Sequence, residues 1–129
     1  MNEMDAKVLK KIVDISDSIP VARVTFTFES RYLTHVMPHF YSMCFDGLGN
    51  EYDISRSIEN LSRLNLINLF NGSVTNFDYK EFERAPYVKN RLDYAVKNNP
   101  ERQLTIKISE YTIQQNDTGR QFANVCILD

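Results

Sequence analysis

An amphipathic helical pattern over residues 53–65 passes at once into a short apolar segment that predicts a strand over residues 66–69. Asp53 precedes the pattern and suits an N-cap, because its carboxylate accepts a hydrogen bond from a free N–H of the first helical turn. Asn65 follows the pattern, and asparagine tolerates the left-handed backbone conformation in which many helices end. The apolar side chains recur at helical spacing and form one stripe, which comprises Ile54, Ile58, Leu61 and Leu64. We therefore expect the rest of the chain to pack around this helix–strand junction.

Two helices and a strand are predicted upstream of the junction. Apolar residues at helical spacing predict a first helix over residues 4–15, and alternating apolar and polar residues predict a half-buried strand over residues 23–28. Residues 31–45 also fit a helical stripe, which Pro38 interrupts, so this second helix is expected to be kinked or divided. The two helices are expected to pack on the central helix.

Downstream of the junction, the Asn71-Gly72 turn is followed by an insertion of roughly thirty residues, far longer than an ordinary hairpin loop. Pro86 suits the first turn of a helix within that insertion. Residues 104–113 then predict a strand that returns to pair with the strand of the junction. A change in the parity of its apolar residues predicts a bulge or a turn near residues 109–110. Asn116 suits the N-cap of a last helix.

The element order is typical of an α+β winged-helix-like domain: helix, strand, helix, helix, strand, insertion, strand and helix. The long insertion would then be a helical extension of the wing. Residues 1–129 are expected to form a single domain, which is large enough for a hydrophobic core. The predicted core draws on all parts of the chain and includes Ile12, Phe26, Ile58, Leu61, Leu64, Ile67, Ile106 and Phe122.

Composition and charge narrow the classes of protein to consider. The formal net charge of −2 and the isoelectric point near 5.7 disfavour a general nucleic-acid-binding protein, which should be clearly basic. Cys44 and Cys126 lie far apart without a nearby cysteine partner, so they are predicted to be reduced and buried. No apolar run reaches the ~20 residues of a bilayer span, and the charged N-terminus lacks the apolar core of a secretion signal. A cytoplasmic location without a membrane partner is therefore expected.

Three segments together resemble the bacterial abortive infection alpha family, in their order and rough spacing. They are MDAKVLKKI near the start, ENLSRLNLI in the middle and YTIQQNDTGRQFANVCI at the end. The family's middle motif usually has glycine where Asn65 stands here, and its closing motif usually has threonine where Asn116 stands. The resemblance is to the C-terminal part of the family, whose members commonly have a longer helical region upstream. It implies a role in resistance to bacteriophage, for either an excised C-terminal domain of a longer protein or a short relative.

Catalytic and metal-binding patterns are weak, so no enzyme, cofactor, metal or small-molecule substrate is predicted. Asp117-Thr118-Gly119 matches the aspartic-protease triplet. That chemistry needs two such carboxylates and the chain has one triplet, so the start of a helix is the favoured interpretation. His35 and His39 are four residues apart, with Cys44 five further on. Pro38 disturbs a helix between them, and no carboxylate is spaced to complete a metal site.

Two binding functions stay open for the chain, nucleic-acid binding and protein interaction. A winged helix places its third helix in the major groove, and arginine and asparagine suit bases and phosphates, although a solvated face of mixed charge is the simpler interpretation. The candidate nucleic-acid contacts are Arg56, Asn60 and Arg63, with Lys89 and Arg91 from the insertion. A module that binds a partner protein, or a second copy of itself, has as its candidate interface Tyr79, Phe82 and Tyr87. The near-neutral charge favours protein interaction, with nucleic-acid binding as the alternative.

Overall fold

The computed structural model describes residues 2–15, 17–28, 34–98 and 104–126. None of the helices in these ranges combines the length and the apolar character that a bilayer span requires. In chain order the elements are α1 (Glu3–Asp14), β1 (Ile19–Phe28), β2 (Thr34–Tyr41), a 3-10 helix (Met43–Phe45), α2 (Glu51–Arg63), β3 (Ile67–Asn71), a second 3-10 helix (Tyr79–Arg84), α3 (Pro86–Asn98), β4 (Leu104–Gln115) and α4 (Asp117–Cys126).

The central helix α2 begins earlier than its apolar stripe indicates. Asn50 is the N-cap, and its side-chain oxygen accepts a hydrogen bond from the backbone N–H of Asp53 at 2.8 Å. The prediction that Asp53 is the cap is therefore wrong, and its carboxylate instead accepts from the side-chain amide of Asn50 at 3.0 Å. Asn50 is the better cap because it satisfies a free N–H and also holds a carboxylate at the positive end of the helix.

The end of α2 forms as predicted. Asn65 has a φ of 62°, in the left-handed region. The N–H groups of Asn65 and Leu66 donate to the carbonyls of Ser62 and Leu61, each at 3.0 Å. This pair of bonds is the Schellman arrangement, which turns the chain sharply out of the helix and into β3.

The strands of the described ranges form one antiparallel sheet in the order β2–β1–β4–β3. β3 pairs with β4 from Ile67 opposite Gln115 to Asn71 opposite Tyr111, so the predicted return of a strand to the junction is confirmed. β4 also pairs with β1, and no shift interrupts that register along its length. The prediction of a bulge or a turn near residues 109–110 is therefore wrong.

Helices cover both faces of this sheet, and each face has its own apolar core. The first-face core joins α1, α2 and α4 to the sheet and includes Val8, Leu9, Ile12, Val21, Phe40, Ile58, Leu61, Ile67 and Ile113. The second-face core joins the insertion between β3 and β4 to the sheet and includes Ala22, Val24, Tyr41, Tyr79, Phe82 and Val88, with Ile106 and Ile108 half-buried against them. The parity change in β4 follows from this arrangement, because successive side chains of a strand point to opposite faces. The start of β4 packs on the second-face core and its end on the first.

Residues 34–41 form the edge strand β2, so the helix predicted over residues 31–45 is wrong for this part of the chain. Pro38 explains the difference, because proline breaks a helix but is accepted in an edge strand or at a bulge. The pairing of β2 with β1 shifts between Val36 and Phe40, and Pro38 lies within that irregularity. A strand thus stands where a winged helix has its second helix, and the fold is a mixed α+β fold.

Most of the predicted core is confirmed. Ile12, Ile58, Leu61 and Ile67 are buried in the first-face core, against which Phe122 is half-buried. The prediction for Leu64 is wrong, because this side chain is 48% exposed. Leu64 lies at the C-cap of α2, and the chain turns there so that Leu66 takes the next buried position. The side chain of Phe26 lies outside the described part of the structure.

The two cysteines are less buried than their sequence context predicts. Cys44 is half-buried at the edge of the first-face core, and Cys126 is exposed at the end of α4. Both are free thiols. The prediction that both are buried is therefore wrong, most clearly for Cys126, because the last turn of α4 extends beyond the core.

Candidate functional site

Two of the aromatic residues predicted to form a protein interface lie inside the molecule. Tyr79 and Phe82 belong to the second-face core and are 5% and 0% exposed. The Tyr79 hydroxyl donates to the carbonyl of Tyr111 at 2.8 Å and accepts from the N–H of Val74 at 3.0 Å. These side chains hold the insertion on the sheet and are not available to a partner. Tyr87, the third predicted interface residue, reaches a surface cavity.

That cavity has a volume of about 690 Å³ and lies between the start of α2 and one face of α3. We call it the α2–α3 cleft. Its wall includes three tyrosines, two carboxylates and a guanidinium group, which belong to Tyr41, Tyr87, Tyr94, Asp46, Glu51 and Arg91. Three of these residues follow one another at helical spacing along α3, so a single helix face supplies them. The end of β2, the turn after the first 3-10 helix and the first residue of α2 supply the others.

Tyr41 forms the buried wall of the cleft. It is 4% exposed, and its hydroxyl donates to the carboxylate oxygens of Asp46 at 3.1 and 3.3 Å. The centroid of its ring lies 5.0 Å from that of Tyr87, with 37° between the ring planes. Burial raises the pKa of Tyr41, and the negative charges of Asp46 and Glu51 raise it further. The hydroxyl therefore stays protonated and keeps its hydrogen bond to Asp46 at neutral pH.

Tyr87 contributes a hydrogen-bonding group that the described residues leave unused. Its hydroxyl oxygen is buried, and within the described ranges no residue forms a hydrogen bond of regular geometry with it. The guanidinium carbon of Arg91 lies 5.5 Å from the centroid of the Tyr87 ring, a distance typical of a cation–π contact. Burial raises the pKa of Tyr87, and the guanidinium of Arg91 opposes that shift through its positive charge and its closeness to the hydroxyl. A group that enters the cleft could therefore pair with a protonated hydroxyl.

The rim of the cleft is exposed and charged. Tyr94 is 69% exposed on α3, opposite the start of α2. Glu51 is the first residue of α2, where the positive end of the helix favours its negative charge. In the part of the chain that the structure describes, neither Glu51 nor Asp46 has an ion-pair partner. Aromatic surface, unpaired carboxylates and an unused hydroxyl together suit the binding of a ligand or partner.

Tyr87 and Arg91 are predicted from the sequence as site residues, though for different functions. The other residues of the cleft wall are not predicted as site residues. Tyr94 could have been identified, because it stands three residues after Arg91 and shares its helix face. No comparable signal links Asp46 or Glu51 to α3. The fold brings these carboxylates to the cleft from a distant part of the chain.

The predicted nucleic-acid contacts of α2 line a second cavity, of about 460 Å³, beside the N-terminus of α1. Arg56 and Arg63 are exposed there. Asn60 is already engaged, because its amide nitrogen donates to the carboxylate of Asp5 at 2.7 Å and its oxygen accepts from Arg63. Asp5 and Glu59 line the same cavity, so two positive charges meet two negative ones.

Asp5 is a buried carboxylate of this second cavity, with 2% of its surface exposed. It accepts a hydrogen bond from the backbone N–H of Asn2 at 3.2 Å and completes the capping box of α1. Burial raises the pKa of Asp5, but hydrogen bonds from Ser57, Asn60 and Asn2 outweigh this effect and leave the pKa below its ordinary value. The carboxylate is therefore charged at neutral pH and repels an approaching phosphate.

The cationic residues predicted from the insertion do not join the arginines of α2 in one cavity. Lys89 and Arg91 are both exposed on α3. Arg91 lines the α2–α3 cleft, whereas Arg56 and Arg63 line the second cavity. The predicted nucleic-acid contacts are therefore divided between two cavities, except for Lys89, which lines neither of them.

The weak metal and protease patterns lie in ordinary secondary structure. Among the described residues, no three His, Cys, Asp or Glu side chains are grouped closely enough to hold a metal ion. His39 lies on a strand, not on the helix that a shared face with His35 requires, and the side chain of His35 is outside the described part. The Asn116 side-chain oxygen accepts from the N–H of Gly119 at 2.7 Å. The Asp117 triplet is therefore the start of α4, as predicted.

Comparisons with known proteins indicate a family and a shared fold. The model of a family described as abortive infection alpha matches residues 1–126, nearly the whole chain. An uncharacterized protein from the hydrocarbon-degrading marine bacterium Alcanivorax borkumensis SK2 has a similar solved structure. The TM-score is 0.51 at 17% sequence identity, over 99% of this chain and 87% of that chain. No curated protein matches the chain. The structural likeness shows the fold alone, while the family match includes every described element.

Proposed function

Because the chain belongs to the abortive infection alpha family, we propose that it takes part in defence against bacteriophage as a non-catalytic domain that binds a protein partner. The proposal includes a cytoplasmic location and correspondence to the C-terminal part of longer family members. The partner-binding role is supported by one observation, the α2–α3 cleft. Tyrosine and arginine side chains supply much of the binding energy of protein interfaces, and this cleft presents both beside unpaired carboxylates.

Removal of the exposed aromatic rim should abolish protection against phage. Plaque counts should be lower on cells that express the full-length gene than on cells without it, and Tyr94→Ala should restore the higher count. Tyr94 is 69% exposed, so its replacement removes contact area for a partner and leaves the core intact. Plating across a broad panel of phages, at protein levels matched by immunoblot, measures the effect.

Tyr52→Ala is the matched control for Tyr94→Ala. Tyr52 is 53% exposed on α2, but it does not line the α2–α3 cleft. This variant should keep full protection. Equal plaque counts with and without the gene would contradict the defence role, and full protection by Tyr94→Ala would contradict the role of the cleft.

A second copy of the chain is one candidate for the protein partner. Light scattering of the purified chain distinguishes a homodimer from a monomer that needs a different protein. If a dimer forms through the cleft, Tyr94→Ala should shift it to the monomer, while Tyr52→Ala should not.

Nucleic-acid binding by α2 is the second candidate function, and the exposure of Arg56 and Arg63 in one cavity favours it. The charges of Asp5 and Glu59 weigh against it, because contact with phosphates needs clustered positive charge. We therefore expect no retarded band in an electrophoretic shift titration with duplex DNA, at low salt and tens of micromolar protein.

A retarded band at those concentrations would reverse the preference for protein interaction. The double change Arg56→Ala with Arg63→Ala should then weaken DNA binding without a change in the unfolding midpoint, because both residues are exposed. The slope of log affinity against log salt should fall by about one unit for each lost phosphate contact.

A further inference from the structure

We propose that the α2–α3 cleft receives an arginine side chain of the partner protein, held by tyrosine rings and by the carboxylates of Asp46 and Glu51. This inference rests on the proposed function, since it names the group of the partner that the cleft binds. Charge, aromatic surface and the unused hydroxyl of Tyr87 each support it.

The charge of the cleft favours a cation. Two carboxylates, those of Asp46 and Glu51, and one guanidinium, that of Arg91, line the cleft. Neither carboxylate is ion-paired within the described ranges. The Tyr41 hydroxyl has a single proton to share between the two oxygens of Asp46, which leaves that side chain able to accept further hydrogen bonds. An entering cation therefore meets a net negative charge, whereas an entering anion would be repelled by two carboxylates.

The tyrosine rings favour a planar cation. The face of an aromatic ring carries partial negative charge, and a guanidinium stacks on it readily because it is planar and weakly hydrated. Arg91 already holds such a position 5.5 Å from the centre of the Tyr87 ring, so the cleft accommodates a guanidinium. Tyr94 is largely exposed on the same face of α3 and offers a further ring to a group that arrives from outside.

The buried hydroxyl of Tyr87 favours arginine over lysine. This oxygen has no hydrogen bond of regular geometry among the described residues, and a buried polar group without a well-aligned partner is unfavourable. A guanidinium presents five N–H donors in one plane, so it can donate to the hydroxyl and to Asp46 or Glu51 while it stacks on a ring. An ammonium group has donors but no flat face to stack.

A titration with an arginine derivative tests the inference directly. N-acetyl-L-arginine amide, followed by amide NMR of the whole chain, should shift cleft resonances saturably in the millimolar range. The citrulline analogue has the same shape without the charge and should not. The double change Asp46→Asn with Glu51→Gln should weaken binding by about tenfold or more, because close charge pairs at interfaces couple at least this strongly. An unchanged unfolding midpoint checks the fold of this isosteric variant.

Arg91→Ala separates partner binding from packing within the chain. Arg91 carries the same charged group as the probe and already occupies the face of the Tyr87 ring, so its removal should tighten the binding of the arginine derivative. Weaker probe binding by Arg91→Ala would mean that Arg91 shapes the cleft by packing within the chain, and that result would overturn the inference. An equal response to citrulline, a stronger response to N-acetyl-L-glutamate amide, or no response at tens of millimolar probe would also overturn it.

Failure of this inference differs from failure of the proposed function. If no arginine derivative binds while Tyr94→Ala still abolishes phage protection, the cleft binds its partner through a different group and the inference alone fails. If the chain protects cells but neither Tyr94→Ala nor the carboxylate variant reduces protection, the partner-binding role of the cleft fails with it.

Discussion

Leu61→Ala should lower the free energy of unfolding by about 2–5 kcal/mol, because it removes three buried carbons and leaves a cavity that the neighbouring elements fill only in part. Leu61 is fully buried at the centre of the first-face core, where α2 meets α1 and the sheet. Urea denaturation at fixed pH measures the change as a lower midpoint at an unchanged slope.

Leu64→Ala is the matched control, because Leu64 lies three residues further along the apolar stripe predicted from the sequence but at the C-cap of α2 in the structure. Leu64 is 48% exposed, so its replacement should change the free energy of unfolding by no more than about 0.5 kcal/mol. If the two substitutions lowered the free energy of unfolding equally, Leu64 would be as buried as Leu61. That result would contradict the Schellman turn, which directs Leu64 away from the core. An unchanged midpoint for Leu61→Ala would remove α2 from the first-face core.

Gly119→Ala should destabilise the chain by about 1–3 kcal/mol or more, because it forces a methyl group into a packed backbone. A Cβ at Gly119 would lie 1.9 Å from the carbonyl oxygen of Leu66. The backbone of Leu66 cannot easily move away, because the Schellman turn and the pairing of β3 with β4 hold it in place. The added methyl group must therefore displace α4. Thermal or urea unfolding measures the loss.

Gly72→Ala is the control for the general effect of glycine replacement. A Cβ at Gly72 would make ordinary contact with the Phe70 ring at 3.5 Å, and Gly72 does not have a positive φ. This variant should be as stable as the parent or more stable by up to about 1 kcal/mol, since alanine reduces the entropy of the unfolded chain. Equal stability of Gly119→Ala and Gly72→Ala would mean that α4 does not approach β3 as closely as the structure indicates.

Features that depend on a few neighbouring residues are predictable from the sequence. Asn65 ends α2 because asparagine tolerates the left-handed conformation, and Asn116 starts α4 because its side chain reaches an N–H three residues on. Ile58 and Leu61 are buried because the apolar stripe of an amphipathic helix faces the core, whatever the rest of the fold is. Tyr87 and Arg91 are each named from the sequence for a different function, and their spacing of four residues puts them on one face of α3.

Only the tertiary structure decides features that depend on distant partners. Residues 34–41 fit a helix stripe, but they form β2 because β1 supplies the strand hydrogen bonds and Pro38 is tolerated at an edge. The apolar residues at the start and at the end of β4 face opposite cores, because the insertion between β3 and β4 covers the second face of the sheet. The order of elements along the chain does not indicate that this face is covered. The α2–α3 cleft arises in the same way. Packing brings Asp46 and Glu51 against α3, and no local rule connects segments so far apart in the chain.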